Sequence, residues 1–354
     1  MLRKRRKTKQ VKVGSLTIGS DNPVYIQSMA NTPASDIDGG VRQALLMQGA
    51  GCEIFRFAVP DTRAVGIFEA AKANGVNMPL VADIHFDYRL AIECAYAGAD
   101  KIRINPGNIG SEDRIKEVVR VCREKRIPIR IGVNSGSLEK EILAKYGSPS
   151  PEALAESALY HVSLLEKFDF YDTVISIKAS SPSAMIMANR ILAEKCDYPF
   201  HIGVTEAGSA FTGTIKSAVG IGSLLCDGIG DTIRVSLTAS PEKEIEAARA
   251  ILDASGCGRG GVSLVSCPTC GRTNIDLISL VNEFEIRKSE IRTERPITVA
   301  IMGCAVNGPG EAREADIGIA GGRGEALLFK KGVIVGKLPE NAIIDALIEE
   351  INRL

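Results

Sequence analysis

The chain has 354 residues, with 43 Lys plus Arg and 43 Asp plus Glu, so its formal net charge is zero. A neutral chain has no global field that would draw it to nucleic acid or to a membrane surface. No run of about eighteen apolar residues occurs, which argues against a membrane-spanning helix. At this length we expect one large domain and one small domain.

The first ten residues, MLRKRRKTKQ, are basic but are followed by no apolar stretch, so they do not form a secretory signal. We interpret this segment as a solvated arm, with a nucleic-acid-binding tail as the alternative. Nine cysteines without such a signal indicate a reducing compartment, where thiols stay free. The sequence therefore predicts a cytoplasmic protein with no nucleic-acid partner and no membrane partner.

Short apolar strands recur through about residue 240, with amphipathic helical stretches between them. The eight strands are VYIQSM, EIFRFAV, PLVADI, KIRINP, PIRIGV, TVISIKAS, FHIGVTEA and DTIRVSL. Intervals of about 25 to 45 residues that each hold a helix are typical of βα units, and eight such units close a barrel. We therefore predict an α/β fold, a (β/α)8 TIM barrel over residues 1–257, with VKVGSLTIG as a hairpin at its lower end.

In such barrels the active site lies at the carboxyl ends of the strands. Nearly every predicted strand here ends in a polar side chain: Gln27, Arg56, Asp83, His85, Arg103, Asn105, Arg130, Asn134, Lys178, Glu206, Arg234 and Ser236. Five cations around one mouth predict a site for a small polyanion, with phosphate or diphosphate as the candidates. For any single arginine, an ion pair with a neighbouring strand is the alternative.

The acids at this mouth have several possible roles. Asp83 and Glu206 are candidates for orienting the cations, for binding substrate hydroxyls or for moving protons, and the sequence alone leaves these roles open. His85 is a candidate acid, with a hydrogen-bonded structural histidine as the alternative.

Residues 258–354 predict a smaller α+β domain with a mixed sheet. After the linker SGCGRGG come strand VSLVS, a cysteine pair, a helix in TNIDLISLVNEFE, strand ITVAIM, strand ADIGIAG, hairpin ALLFKKGVIVGKL and helix ENAIIDALIEEINRL. Two cysteine-bearing loops each follow a strand, so we expect them to meet at one edge of the sheet.

Cys267 and Cys270 in SCPTCGR and Cys304 in MGCAVNGPGEA are followed by Glu311. Three thiolates suit three irons of a [4Fe-4S] cluster and leave the fourth iron for a carboxylate, a substrate or water. A redox dithiol or a structural zinc site is the alternative for the pair alone, but a third cysteine in a Gly-rich loop favours the cluster. We interpret the other six cysteines mainly as small buried residues, with Cys257 as a possible spare ligand.

The motifs SCPTCGR, MGCAVNGPGEAREADIG, ADIHF, KIRINPGN, GVNSGS and VTEAG occur along essentially the whole chain. Together they resemble the bacterial two-domain form of the 4-hydroxy-3-methylbut-2-enyl diphosphate synthase family of the methylerythritol phosphate pathway to isoprenoids. The resemblance implies reductive ring opening and dehydration of 2-C-methyl-D-erythritol 2,4-cyclodiphosphate to the allylic diphosphate. It also implies reduced flavodoxin or ferredoxin as electron donor, and a homodimer in which one subunit's cluster domain closes over the other's barrel.

The same resemblance implies roles for individual residues. Cys267, Cys270, Cys304 and Glu311 would bind the cluster, and Glu206 would act near the reacting carbon. The diphosphate would be held by Arg56, Arg103, Arg130, Lys178 and Arg234, with help from Asn134 and Ser236. We add the hypothesis that Glu311 leaves the cluster when substrate coordinates the unique iron.

Two other functions remain as alternatives. A pterin- or corrinoid-binding barrel that transfers a one-carbon unit is disfavoured by the five cations at the mouth. A zinc-stapled module that binds nucleic acid through the basic N-terminal segment leaves the barrel mouth unexplained.

Overall fold

The computed structural model describes residues 4–293, 295–304 and 312–354. The chain divides into two compact units, Met1–Cys257 and Gly258–Leu354. Among the described residues, no helix is both long enough and apolar enough to cross a membrane.

The first unit alternates strands and helices. Its strands are β1 (Val11–Val13), β2 (Leu16–Ile18), β3 (Tyr25–Met29), β4 (Ile54–Ala58), β5 (Leu80–Asp83), β6 (Lys101–Ile104), β7 (Ile129–Asn134), β8 (Thr173–Lys178), β9 (His201–Ile202) and β10 (Thr232–Ile233). Its helices are α1 (Ile37–Gly49), α2 (Ile67–Ala73), α3 (Tyr88–Tyr96), α4 (Pro106–Ile109), α5 (Glu112–Lys125), α6 (Lys140–Tyr146), α7 (Pro151–Glu166), α8 (Pro182–Ala193), α9 (Ala210–Cys226) and α10 (Pro241–Ala254).

Strands β3 to β10 form one parallel sheet in the order β8, β7, β6, β5, β4, β3, β10 and β9. A parallel bridge between Ile175 of β8 and Phe200, which precedes β9, joins the two edges of this sheet. The predicted (β/α)8 barrel is therefore confirmed. All eight predicted strands form, although β9 and β10 contain only two residues each.

The alternation of side chains along the strands makes the barrel interior polar. In β6, Ile102 and Ile104 belong to the apolar cluster that the strands share with the surrounding helices. Because successive side chains of a strand point to opposite faces, Lys101 and Arg103 point into the barrel. Both are buried, so the cations that the sequence places on the strands are interior groups.

The hairpin of β1 and β2 covers the amino ends of the barrel strands. Val11 and Val13 of β1 belong to a buried apolar cluster with Ile54, at the start of β4, and Val81 of β5. The hairpin turn contains Gly14 at a φ of +56°, a left-handed conformation that glycine adopts without steric cost. The predicted hairpin therefore forms, and it closes the lower end of the barrel.

The basic N-terminal segment contacts the barrel, and the prediction of a solvated arm is wrong for Arg5 and Arg6. Arg5 forms an ion pair of 2.7 Å with the buried Asp231. Arg6 donates hydrogen bonds to the carbonyl oxygens of Cys196 and Tyr198, both at 2.5 Å, and its guanidinium lies 4.1 Å from the ring centre of Phe200. These cations anchor the chain beside β9 and β10.

The second unit is a mixed sheet with helices on one face. Its strands are β11 (Val262–Ser266), β12 (Ile297–Met302), β13 (Ile317–Gly321), β14 (Glu325–Lys330) and β15 (Val333–Pro339), and its helices are α11 (Leu277–Arg287) and α12 (Ile343–Ile351). The strands lie in chain order, with β11, β12 and β13 parallel and the remaining pairs antiparallel. Apolar side chains of both helices share one core with β12 and β13.

The six cysteines outside the C-terminal motifs fall into three groups: three are buried, Cys226 is exposed, and Cys196 and Cys257 are half-buried. Cys52, Cys94 and Cys122 are buried as predicted, and burial raises the pKa of each thiol to about 12, which keeps them protonated and unreactive. Cys226 is exposed, so the prediction of a buried residue is wrong there. Its position at the end of α9 places it on the outer surface of the barrel.

Candidate active site

A cavity of about 320 Å³ opens at the carboxyl ends of the barrel strands. Its lining consists of His85, Arg103, Asn105, Asn108, Asn134, Ser135, Gly136, Ser180, Thr205 and Glu206. The cavity therefore brings together residues that follow β5, β6, β7, β8 and β9. Five of the predicted site residues are among them, namely His85, Arg103, Asn105, Asn134 and Glu206.

Four polar residues of this lining were not singled out from the sequence: Asn108, Ser135, Ser180 and Thr205. Each lies within two or three residues of one that was, inside KIRINPGN, GVNSGS, IKAS or VTEAG. The signal was the loop itself, because every residue just beyond a barrel strand has access to the mouth.

Asp83 is the anion that organises the nearby cations. Its Oδ1 lies 2.9 Å from Nη1 of Arg103, its Oδ2 lies 3.5 Å from Nε of Arg56, and Nε2 of His85 lies 3.8 Å from the same Oδ2. Burial opposes ionisation of Asp83, but the charges of Arg56, Arg103 and Arg130 outweigh it and hold its pKa well below the usual range. Asp83 is therefore a carboxylate at neutral pH, and it fixes two guanidiniums.

The cations extend below the mouth into the barrel. Arg130 is the second residue of β7, deeper than the strand end expected from the sequence, and it pairs in register with Arg103 of β6. Burial and repulsion from neighbouring arginines lower the pKa of Arg130 and of Lys178 well below their usual values. Burial likewise lowers the pKa of Arg56 to about 10, although it stays protonated at neutral pH.

These shifts share one physical cause. Cations are packed together out of water with too few anions to compensate them, so their charged forms are disfavoured. A bound polyanion would supply the missing negative charge, which is why perturbed groups concentrate at binding sites. The cluster of Arg56, Arg103, Arg130, Lys178 and Arg234 thus has the electrostatics of an anion site.

Gly132 of β7 provides the space that the Arg103 side chain occupies. A Cβ atom at this position would lie 2.4 Å from Nε and 2.7 Å from Nη2 of Arg103. The Arg103 guanidinium also lies 3.5 Å from the Gly132 carbonyl oxygen, which accepts from Nη2. Arg103 is therefore held by Asp83 on one side and by the β7 backbone on another.

Met29, at the end of β3, separates two arginines. Its sulfur lies 2.7 Å from Nη2 of Arg56 and 3.8 Å from Nη1 of Arg234. A thioether is a weak acceptor without charge, so it spaces the guanidiniums without neutralising them. The apolar residue type gave no reason to select this position from the sequence.

Glu206 lines the cavity with a backbone φ of +51°. A non-glycine residue in this region is strained, and such strain concentrates at functional sites. Glu206 is exposed, follows β9 and precedes Gly208, another residue with positive φ. The loop therefore holds the Glu206 side chain at the mouth at a conformational cost.

The remaining predicted residues have different surroundings. Asn105 is buried, and its side chain caps α4 by accepting from the Gly107 backbone N–H at 3.1 Å. Ser236 is half-buried in the segment that follows β10. Gln27 lies in the middle of β3, not at its end, and it is buried inside the barrel.

In the second unit, β11 and β12 run parallel, with Ser266 opposite Ile301. Their carboxyl ends therefore meet at one edge of the sheet, where Cys267 follows β11 and Cys304 follows β12. The Gly303 backbone N–H donates to the Cys267 sulfur at 3.3 Å, which brings the two loops into contact. Backbone amides that approach sulfur in this way are typical of iron–sulfur sites.

The three cysteines of the motifs are free thiols, with Cys304 buried and Cys270 exposed. Hydrogen bonds to the backbone and side chain of Arg272 lower the pKa of Cys270, which favours its thiolate. Within residues 4–293, 295–304 and 312–354, no three His, Cys, Asp or Glu side chains are grouped closely enough to hold a metal. Glu311 lies outside the described residues.

Comparison with known proteins establishes the family. A profile described as the GcpE TIM-barrel domain matches residues 8–249, and one described as the GcpE protein C-terminal domain matches residues 263–353. The chain belongs to the GcpE family. The boundary between the two GcpE profiles falls in the same segment as the boundary between the two compact units.

Members of the GcpE family with curated functions are similar along their full length. The chain is 55% identical over 350 residues to the 4-hydroxy-3-methylbut-2-en-1-yl diphosphate synthase (flavodoxin) of Clostridium perfringens (strain 13 / Type A). The matched region covers 99% of this chain and 99% of that protein. It is 54% identical over 354 residues to the synthase of the same name from Caldanaerobacter subterraneus subsp. tengcongensis, covering 100% of this chain and 99% of that protein.

Among solved structures, the type I 3-dehydroquinate dehydratase from Clostridium difficile superposes with a TM-score of 0.51. It is 13% identical, and the match covers 70% of this chain and 98% of that one. At this identity the likeness shows the barrel fold alone.

Proposed function

We propose that this GcpE family member catalyses reductive ring opening and dehydration of 2-C-methyl-D-erythritol 2,4-cyclodiphosphate to (E)-4-hydroxy-3-methylbut-2-enyl diphosphate, a step of isoprenoid biosynthesis. The names of its relatives, at about 54% identity, give the product. The observation that carries the proposal is the buried group of cations beside the cavity, which is suited to a diphosphate.

In this proposal the barrel binds and orients the substrate. Arg56, Arg103, Arg130, Lys178 and Arg234 hold the diphosphate, helped by Asn105, Asn134 and Ser236. Guanidinium groups suit this task because their planar N–H donors match phosphate oxygens in pairs. Asp83 keeps Arg56 and Arg103 aimed at the same region, so the arginines are arranged before the substrate binds.

His85 and Glu206 are the proposed proton-handling residues. Both line the cavity, and each is exposed to the space that substrate would fill. His85 also lies beside the Asp83 carboxylate, with 3.8 Å between its Nε2 and Oδ2 of Asp83. Glu206 follows β9, and we propose that it acts near the reacting carbon of the substrate.

We propose that Cys267, Cys270, Cys304 and Glu311 hold a [4Fe-4S] cluster. The donor set fits in kind, because three free thiols lie on adjacent loops at one sheet edge and Cys267 already accepts an amide hydrogen bond. When bound, such a cluster supplies electrons one at a time and offers one iron as a Lewis acid. The fourth ligand, Glu311, is assigned from the sequence motif.

The proposed electron donor is reduced flavodoxin, which the names of the relatives specify, with ferredoxin as the other candidate. We also propose a homodimer in which the cluster of one chain serves the barrel of the other. Mixing Arg103→Ala subunits with Cys304→Ser subunits tests this pairing. Recovered activity in the mixture supports catalysis across subunits, whereas two variants that stay inactive together contradict it.

The cluster is tested by anaerobic purification followed by iron, sulfide and zinc analysis. We expect brown protein with about four irons and four sulfides per chain. Cys304→Ser should lose them, while Cys226→Ser, at an exposed cysteine outside the motifs, should retain them. Colourless protein that contains zinc would exclude the redox mechanism.

The reaction itself is tested by supplying the cyclic diphosphate with reduced flavodoxin and measuring the allylic diphosphate formed. Loss of product with Arg103→Ala, in protein that keeps its iron, would show that the barrel and the cluster contribute separately. Absence of any product from iron-loaded wild-type protein would reject the proposed function.

A further inference from the structure

Glu244 is a buried acid that reaches the cation cluster from a helix. It lies in the first turn of α10, and its side chain makes three contacts. Oε1 lies 3.4 Å from Nη2 of Arg234 and accepts from the Leu237 backbone N–H at 3.1 Å. Oε2 accepts from the Ser28 hydroxyl at 2.8 Å.

These contacts join three parts of the site. Ser28 belongs to β3, Arg234 directly follows β10, and Leu237 lies in the segment before α10. Ser236, a proposed diphosphate ligand, is adjacent to Leu237. One carboxylate therefore fixes both a cationic side chain and the backbone next to a hydroxyl that we assign to the same ligand.

Glu244 engages Arg234 in a way that leaves donors available. Only Nη2 of Arg234 points to the carboxylate, whereas Nη1 faces the sulfur of Met29 at 3.8 Å. The buried Nε of Arg234 has no hydrogen-bond partner in the structure. An unpaired buried donor is costly, and an incoming phosphate oxygen would satisfy it.

We propose that Glu244 is a positioning residue that holds Arg234 and the backbone beside Ser236 in the arrangement that binds the diphosphate. The inference rests on the proposed function, because it assumes that the ligand of this mouth is a diphosphate. Glu244 does not touch the ligand itself. It acts through Arg234 and Leu237.

Charge alone predicts the opposite result from positioning, which makes the inference testable. A carboxylate near the site repels a diphosphate, so any neutral replacement of Glu244 would bind the anion more tightly if charge were all that mattered. Positioning instead depends on hydrogen bonds. Glu244→Gln keeps an acceptor for the Leu237 N–H or for Arg234, whereas Glu244→Leu, of similar size, keeps none.

The experiment measures binding of inorganic diphosphate to the full chain by titration calorimetry. We expect Glu244→Leu to weaken binding about tenfold or more and Glu244→Gln to weaken it less than threefold. Glu246→Gln, on the exposed face of the same helix, is the control and should bind like wild type. If Glu244→Leu fails to fold, Ser28→Ala removes the anchor on β3 and should still weaken binding two- to fivefold.

A double-mutant cycle separates positioning from a general structural effect. In an Arg234→Ala background, Glu244→Leu should weaken binding less than twofold further, because its main target is already absent. Equal losses in both backgrounds, or tighter binding by both neutral variants, would overturn the inference. Wild-type protein that does not bind diphosphate would instead overturn the proposed function, so the two failures are distinguishable.

Discussion

Replacing Gly132 by alanine should displace Arg103 without unfolding the barrel. The new methyl group would lie 2.4 Å from Nε of Arg103, far inside van der Waals contact. The atoms in its way are the end of a long side chain, so the guanidinium can move while the backbone stays. Movement breaks the 2.9 Å contact with Asp83, which retains Arg56 as a partner at 3.5 Å.

The expected loss of stability is small. Losing one hydrogen bond between charged groups costs about 1.5–3 kcal/mol. Replacing glycine by alanine returns about 0.4–1 kcal/mol, because the unfolded chain has fewer conformations. We therefore expect Gly132→Ala to lower the free energy of unfolding by about 0.5–2.6 kcal/mol, measured by urea denaturation.

The expected loss of binding is larger. If Arg103 contributes one charge-assisted contact to the diphosphate, its displacement costs about 1.5–3 kcal/mol. That is roughly a 10- to 150-fold rise in the dissociation constant for inorganic diphosphate. Gly49→Ala, where an added Cβ meets no atom within 4 Å, is the control. Unchanged diphosphate affinity in folded Gly132→Ala protein would refute the assigned role of Arg103.

Three further predictions concern charge and stability. Asp83→Asn should destabilise the protein by about 3 kcal/mol at pH 7, because it breaks a buried ion pair. Because the pKa of Asp83 is lowered in the folded protein, its contribution to stability is present above the unfolded pKa of about 3.9. As pH falls below about 4 this contribution is progressively lost, so urea unfolding should show the free energies of unfolding of wild type and Asp83→Asn converging. Lys178→Met should raise the free energy of unfolding at pH 7 by about 1–2 kcal/mol while abolishing diphosphate binding. Because burial lowers the pKa of Lys178, this gain in stability should shrink as pH rises towards 10. A loss of stability in Lys178→Met would contradict the reasoning. Arg6→Ala should lower the free energy of unfolding by about 1–3 kcal/mol without changing diphosphate affinity, whereas the exposed Lys7→Ala should do neither.

Much of the barrel was predictable from two features of the sequence: the alternation of side chains along each strand and the regular succession of strands and helices. Alternation along KIRI and TVISIK fixes which side chains enter the interior, and parallel strands bring their carboxyl ends to one mouth. How deep each side chain lies within the barrel was harder to predict. Arg130 and Gln27 lie inside the barrel and not at its rim, since strand boundaries are the least certain part of a sequence-based assignment.

The contacts that the sequence did not reveal are made by side chains distant along the chain. Glu244 looks like an ordinary acid in the first turn of a helix, where the helix dipole favours it. Its partner Ser28 is 216 residues away, and no local pattern joins them. Arg5 and Arg6 looked like a solvated charge run for the same reason, because the Asp231 carboxylate and the Cys196 carbonyl, which accept from them, lie more than 180 residues further along the chain.

The side chains at the barrel mouth leave positive charge that only a bound anion would neutralise. Asp83 and Glu244 offset only part of the charge of the cations around them, and Met29 separates Arg56 from Arg234 without adding any negative charge. A third acid in the place of Met29 would stabilise the folded protein, but it would also occupy the donors that a diphosphate needs. The uncompensated charge therefore lowers stability in the free protein and becomes favourable only when the ligand supplies its counter-charge.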